Sequence, residues 1–196
     1  MDGVRAQLSR SVRHVARSVA CATALATSGC GSAPDARAAA PEANAAFFAP
    51  LPVVHSLAHG APSAEAALRA VVRAASTHDT AMLVRLAVTR AEWGRLYYPT
   101  SRFARPPYRS PAALQWGLTV AASDKGVRRL LRELGGRDVT VRDVRCGPPR
   151  DEGANQLWLG CEVTYRVGAR DATRSITGAL IARDGRVKVL SYANDF

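Results

Sequence analysis

Few side chains in this chain are placed to do chemistry. Four histidines are present among 196 residues. His55 and His59 stand four apart without a third ligand, and His78 is the single histidine beyond residue 61. A zinc or iron centre built on two or three histidines is therefore not expected in the C-terminal two-thirds. A nucleophilic triad would have to use His78, which falls at a break between helical stretches and lacks a G-x-S-x-G context. Among the acids, Asp143 is the carboxylate with a route to a pocket. It stands where a strand pattern changes phase, and a bulge there could turn it inward. General acid–base work would need such a carboxyl buried, with its pKa raised. His78 and Asp143 are thus the catalytic candidates. Asp79 lies beside the helix break, Glu162 alternates away from the apolar strand face, and Glu92 has a capping role described below. There is no P-loop and no G-x-G-x-x-G, so no cofactor is expected.

The cysteines carry more information. Cys21 and Cys30 lie near the N-terminus, leaving Cys146 and Cys161 as a pair within the later strands. If those strands form a hairpin centred on Gly153-Ala154, opposed residues have numbers adding to 307. Cys146 then faces Cys161, and Val144 faces Val163. Opposed Cβ atoms lie about 4.5–5.5 Å apart, close to what a disulfide needs. Two unrelated core cysteines are the other reading. A disulfide would require an oxidising compartment.

The N-terminal residues read as an address. Arg5, Arg10, Arg13 and Arg17 precede a short apolar run, Ser18–Ala26, and then small residues. That order is the order of a secretory signal, and the run is too short for a membrane span. Thr27-Ser28-Gly29-Cys30 resembles the lipobox of bacterial lipoproteins. The resemblance implies cleavage before Cys30 and acylation of that residue, and Gly31 after it implies the outer membrane facing the periplasm. Cleavage after Ala26 is the alternative, leaving Cys30 a free thiol; a disordered arm on a cytosolic protein is a third. Residues 1–29 are thus expected to be a signal peptide, 30–61 an Ala/Pro-rich disordered tether, and 62–196 the folded domain. Within the tether, Phe47, Phe48 and Leu51 have the alternative of packing back on the domain.

From Pro62 onward the spacing is helical and then strand-like. Ser63 caps a helix with Leu68, Val71, Val72 and Ala75 on one stripe. Thr80 restarts a helix after His78-Asp79. Thr89-Arg-Ala-Glu92 is a capping box opening a short helix with Trp93, Leu96 and Tyr97. A Pro-rich loop, 99–110, follows. Pro111 begins the next helix, Ser123 or Asp124 another, and Gly135-Gly136 closes it. Alternation then predicts four strands: Val139–Cys146, Leu157–Val167, Thr173–Arg183 and Arg186–Ala193. Asp184-Gly185 is a hairpin turn that places Leu180 opposite Val189 and Ala182 opposite Val187. The plan is α+β, N-terminal helices packed on a curved antiparallel sheet of about four C-terminal strands.

Helical opening, terminal hairpin and the closing Val-Leu-Ser-Tyr-Ala-Asn-Asp resemble the nuclear-transport-factor-two-like (cystatin-like) superfamily of cone-shaped rolls. Where that family usually has a short strand pair between its early helices, this chain has the loop 99–110. The resemblance implies a cone mouth, with Trp93, Tyr97, Trp116 and Tyr165 as lining candidates or, alternatively, core. The second sheet face would carry Trp158, Ile181, Leu190 and Tyr192, an apolar stripe suited to homodimerisation or a partner, unless the tether covers it. The basic balance, formal net charge +11, is arginine spread over helices and strands alike, so no nucleic-acid partner is expected. The expected function is an envelope lipoprotein, anchored to the membrane by lipid, whose non-catalytic domain binds a small apolar ligand or an envelope protein. Two alternatives remain: an isomerase- or dehydratase-like enzyme using a pocket carboxylate, and an assembly factor for cell-wall enzymes.

Overall fold

The four predicted strands become seven: the two long ones each break along a common line, and a short strand forms at Arg150–Glu152, where none was predicted. The computed structural model describes residues 36–194, with side chains from Glu42 onward. Its strands are β1 Val139–Arg145, β2 Arg150–Glu152, β3 Asn155–Leu159, β4 Glu162–Val167, β5 Arg170–Arg174, β6 Thr177–Arg183 and β7 Arg186–Tyr192. They form two antiparallel sheets, β1-β4-β5 and β2-β3-β6-β7. A single register nevertheless crosses the break. Asp143 to Arg145 pair with Thr164 to Glu162, and Arg150 to Glu152 pair with Leu157 to Asn155, every pair adding to 307. Pro148 and Pro149 have no N–H for a ladder, and Gly160 at φ 70° turns the opposing strand. Leu157–Val167 is therefore two strands, not one, and Thr173–Arg183 likewise divides at Ser175-Ile176. Across that second pairing the totals change by one, from Val163↔Arg174 to Leu159↔Ala179. One extra residue at the bend is what lets a pleated ladder fold across itself.

At the bend Cys146 and Cys161 are joined, S–S 2.07 Å and Cα–Cα 4.3 Å. The β6–β7 turn also follows the prediction, Leu180 opposite Val189 and Ala182 opposite Val187. Asp184 and Gly185 both have positive φ, 50° and 71°, as a type I′ turn demands.

Helices cover both faces of the β6–β7 hairpin. Helix α2 (Ala64–Ser76) is capped by Ser63, whose Oγ accepts from Ala66 N at 3.1 Å. α3 (Thr80–Leu86) is capped by Asp79. With α5 (Ala112–Leu134) these pack Leu68, Val71, Leu83, Leu130 and Leu134 against Tyr165, Leu180, Val187 and Val189. The opposite face holds Leu157, Ala179, Ile181 and Leu190. It is covered by Phe47 of α1 (Ala36–Phe48), by Leu51 and Leu57, and by Trp93 and Tyr98.

Three expectations are corrected here. Residues from Ala36 to 61 are not a featureless tether: α1 is helical, and Phe47 and Leu57 are buried because they close the sheet's second face. Nor does that face offer an apolar stripe to a partner. Ile181 and Leu190 lie beneath the α1 segment, while Trp158 pairs with Leu180, and both it and Tyr192 belong to the core on the other side. Finally, Ala112–Leu134 is one helix rather than two. Thr119 donates back to Gln115 O, and Ser123 Oγ accepts from Tyr192 N, so neither hydroxyl interrupts the helix. Cys30 and the expected signal peptide lie outside the described residues.

The Cys146/Cys161 double serine variant should lose about 3 kcal/mol of unfolding free energy, measured by urea titration against the oxidised protein. Gly126 offers a sharper sign test. Replacing a helical glycine by alanine ordinarily stabilises by about 1 kcal/mol, but a Cβ at Gly126 would collide with the Ala193 carbonyl and Tyr192. Gly126→Ala should instead destabilise by about 1–3 kcal/mol in the same assay.

Candidate functional site

The capping box of α4 (Arg90–Glu92) does more than start a helix. Thr89 Oγ1 accepts from Glu92 N at 3.2 Å, and Glu92 Oε2 accepts from Thr89 N at 2.7 Å. The same Oε2 also accepts from Lys188 Nζ at 2.8 Å, and Oε1 from Ala58 N at 2.7 Å. Both charged side chains are 2% exposed. Burial by itself pushes the Glu92 carboxyl up, but the Lys188 ammonium and the two backbone donors outweigh it and hold Glu92 below the ordinary value. An isolated charge at this depth would cost several kcal/mol; this one is fully partnered.

After Glu92 the chain continues as a π-turn, Trp93–Tyr97, and then a 3₁₀ turn, Tyr98–Thr100. The π-turn sends Trp93 into an aromatic group with Phe47, Tyr97 and Tyr98, ring centroids 5.3–6.0 Å apart. Trp116 of α5 joins it from outside, 5.6 Å from Trp93.

Beside this group lies a groove of about 440 Å³, within the usual range for ligand sites. Its origin is the way α5 is held. Ala112 is buried at the N-terminal end, where Asn44 Oδ1 accepts from its N–H at 2.7 Å, and Gly126, Leu130 and Leu134 are buried at the other. No α5 residue between Ala112 and Gly126 is buried. The middle of the helix bridges a gap whose far wall is α3 and residues 87–90 and whose floor is Leu190 and Tyr192. Val84, Trp116, Val120 and Val127 give apolar walls; Thr119, Ser123, Arg90, Asp124 and Arg128 give the polar rim. Arg90 also lies over the Phe47 ring, 4.5 Å from its centroid. Tyr192 offers no free hydroxyl, since its OH donates to Leu83 O at 2.7 Å and burial raises its pKa.

Of the lining candidates, the structure brings together Trp93, Tyr97 and Trp116, but only Trp116 reaches the groove. Trp93 is core. Tyr97 is also buried, its pKa pushed up to about 12 by burial and by Glu152. Tyr165 belongs to the other core, where its hydroxyl donates to Glu133. Asp143 does stand at a bulge in β1, but its carboxylate points outward and pairs with Arg145 at 2.7 Å. That partner holds its pKa down, the reverse of what a pocket base needs. His78 is exposed in the turn joining α2 and α3, beside Gly135 at the end of α5.

Lys188 escaped sequence reasoning although a signal was there. It is one of two lysines in an arginine-rich chain, set inside the apolar run Val187-Lys188-Val189-Leu190. A lone ammonium in a strand of that kind needs a buried partner. Compared with family models, curated proteins and solved structures, the chain matches none.

Lys188→Met should cost about 3–5 kcal/mol at neutral pH, because it leaves Glu92 buried without its counter-ion. Adding Glu92→Gln should recover most of that loss. Because the folded Glu92 pKa is lowered, its stabilisation is present above the unfolded carboxyl value and disappears as pH falls through the folded one. The double variant should therefore lose less stability than wild type on acidification, as read by denaturant midpoints across pH.

Proposed function

We propose that this chain is an envelope lipoprotein, acylated at Cys30, whose domain binds a small amphipathic ligand without transforming it. The groove bridged by the middle of α5 carries this reading. It is apolar along α3 and α5, open to solvent at Val84, and edged by Arg90 and Arg128 against the single acid Asp124. Such a site suits an apolar chain ending in an anionic group. Arg128 is exposed and makes no ion pair among the described residues.

Binding is favoured over acid–base catalysis by the state of the buried carboxylate next to the groove-lining residues Thr89 and Arg90. Glu92 is buried and does not line the groove; it accepts from three donors and is held ionised, so it has little basicity to use. The disulfide favours an oxidising compartment, in keeping with export and a lipid anchor on the outer membrane facing the periplasm. Helices laid on a bent antiparallel sheet also suit the nuclear-transport-factor-two-like resemblance, in which the space between helices and sheet holds ligands.

The test compares oleate with oleyl alcohol, followed through Trp116 fluorescence and calorimetry on the full chain. Arg128→Ala should weaken oleate about tenfold and leave the alcohol unchanged. Val84→Asp, at an exposed position, should weaken both. If both variants bind both ligands as wild type does, the groove is not the site.

A further inference from the structure

The far end of the β6–β7 hairpin holds a second cavity with a different character. It measures about 510 Å³ and lies between the Gly153 and Asp184-Gly185 turns and the start of α2. Its base is the half-buried Trp158 with Val187; around the rim stand Ser63, Asp151, Gln156, Arg183 and Asp184. Gln156 pairs with Ala182 and Trp158 with Leu180, so the two side chains project from alternate positions on one sheet face. The indole thus gives the cavity an apolar lining, and polar groups surround it.

The charges on that rim are of both signs and partly paired with one another. Arg183 donates to Asn155 Oδ1 at 3.4 Å and approaches Asp184 at 3.7 Å, while Gln156 Nε2 donates to Asp151 at 3.5 Å. An anion entering here would meet two carboxylates and one guanidinium that is partly neutralised. A purely apolar molecule would strand the rim's donors and acceptors without water. A neutral ring with one C–H face and a rim of hydroxyls meets neither objection. Its C–H face lies on the indole, whose ring face is electron-rich. Its hydroxyls both donate to carboxylate and amide oxygens and accept from amide and hydroxyl hydrogens. Ser63 Oγ accepts from Ala66 N and keeps its own hydrogen to donate.

We propose that this cavity binds a short neutral saccharide, stacked on Trp158 and held by Asp151, Gln156 and Ser63. The proposal is independent of the α3–α5 groove and stands or falls without it. The probes are maltotriose and chitotriose, with choline as a cationic control, titrated into the disulfide-intact full chain by calorimetry. At least one trisaccharide should bind in the micromolar to millimolar range. Trp158→Ala should weaken it by about tenfold or more, Trp158→Phe by less, and Val84→Asp in the other groove not at all. Far-UV circular dichroism checks that the variants fold, and Asp151→Ala, at an exposed position, supplies a second variant expected to weaken binding. No binding of either sugar at ten-millimolar levels overturns the proposal. So does unchanged binding in folded Trp158→Ala and Asp151→Ala, or binding of choline alone.

Discussion

A carboxylate and an ammonium, both shut away from water, join three separate stretches of chain, the last strand of the sheet among them. Glu92 accepts from Lys188 on β7, from Thr89 at its own helix start, and from Ala58 in the segment following α1. Each partner alone would leave a buried charge short of hydrogen bonds, and the desolvation cost would dominate. Together they satisfy it, so the three stretches are constrained jointly. The backbone around the pair repeats the arrangement. Ala61 bridges Val187 antiparallel, Ala87 bridges Val189 in parallel, and Val88 N donates to Val189 O at 2.9 Å. Lys188 stands between these two bridges. The free edge that β7 would otherwise present is thereby occupied by the chain's own backbone, which removes a template for aggregation.

The sheet depends on a second constraint, the bend. Folding across the Cys146–Pro149 and Gly160-Cys161 line places β4 and β6 at an angle. Tyr165 and Leu180 can then belong to one core although they lie in different sheets. A flat four-stranded sheet of the same residues would have to bury its full width under three helices. Bending lets α2, α3 and α5 enclose one concave side, while the short α1 segment and the π-turn suffice for the other. The disulfide lies on this line, where ladder hydrogen bonds are fewest, and closes the gap the prolines leave.

How much of this could be read beforehand follows from which rules are local. Capping at Ser63 and Thr89–Glu92, the Asp184-Gly185 turn and the Cys146–Cys161 register are set by neighbours in sequence or by simple pairing arithmetic, and all are as the residues indicate. Misreadings occurred where a residue's alternative partner was distant. Ser123 reads as a cap until Tyr192 N takes its hydroxyl. Phe47 and Leu51 sit in an alanine-rich stretch that looks soluble, and only the uncovered face of Ile181 and Leu190 gives them somewhere to go. The candidate groove was the least legible feature. It is defined by what α5 fails to bury between Ala112 and Gly126, and alternation or periodicity reports only what a helix could bury.

That failure to bury is itself informative about mechanism. A helix of 23 residues that packed along its whole length would close over Leu190 and Tyr192 and leave no room for a ligand. Here its two ends are held by different cores: Ala112 by the aromatic group around Trp93, and Leu130 and Leu134 by the leucine-rich core below the sheet. Because each end is fixed independently, the span between them is held away from the sheet without needing contacts of its own. Apolar side chains such as Val120 and Trp116 can then stay half-exposed at modest cost, since the stability that secures the helix is earned elsewhere. The buried Glu92–Lys188 pair acts on the same geometry, fixing residues 89–90 opposite the span. A ligand entering a preformed opening of this kind would not have to order a loop as it bound.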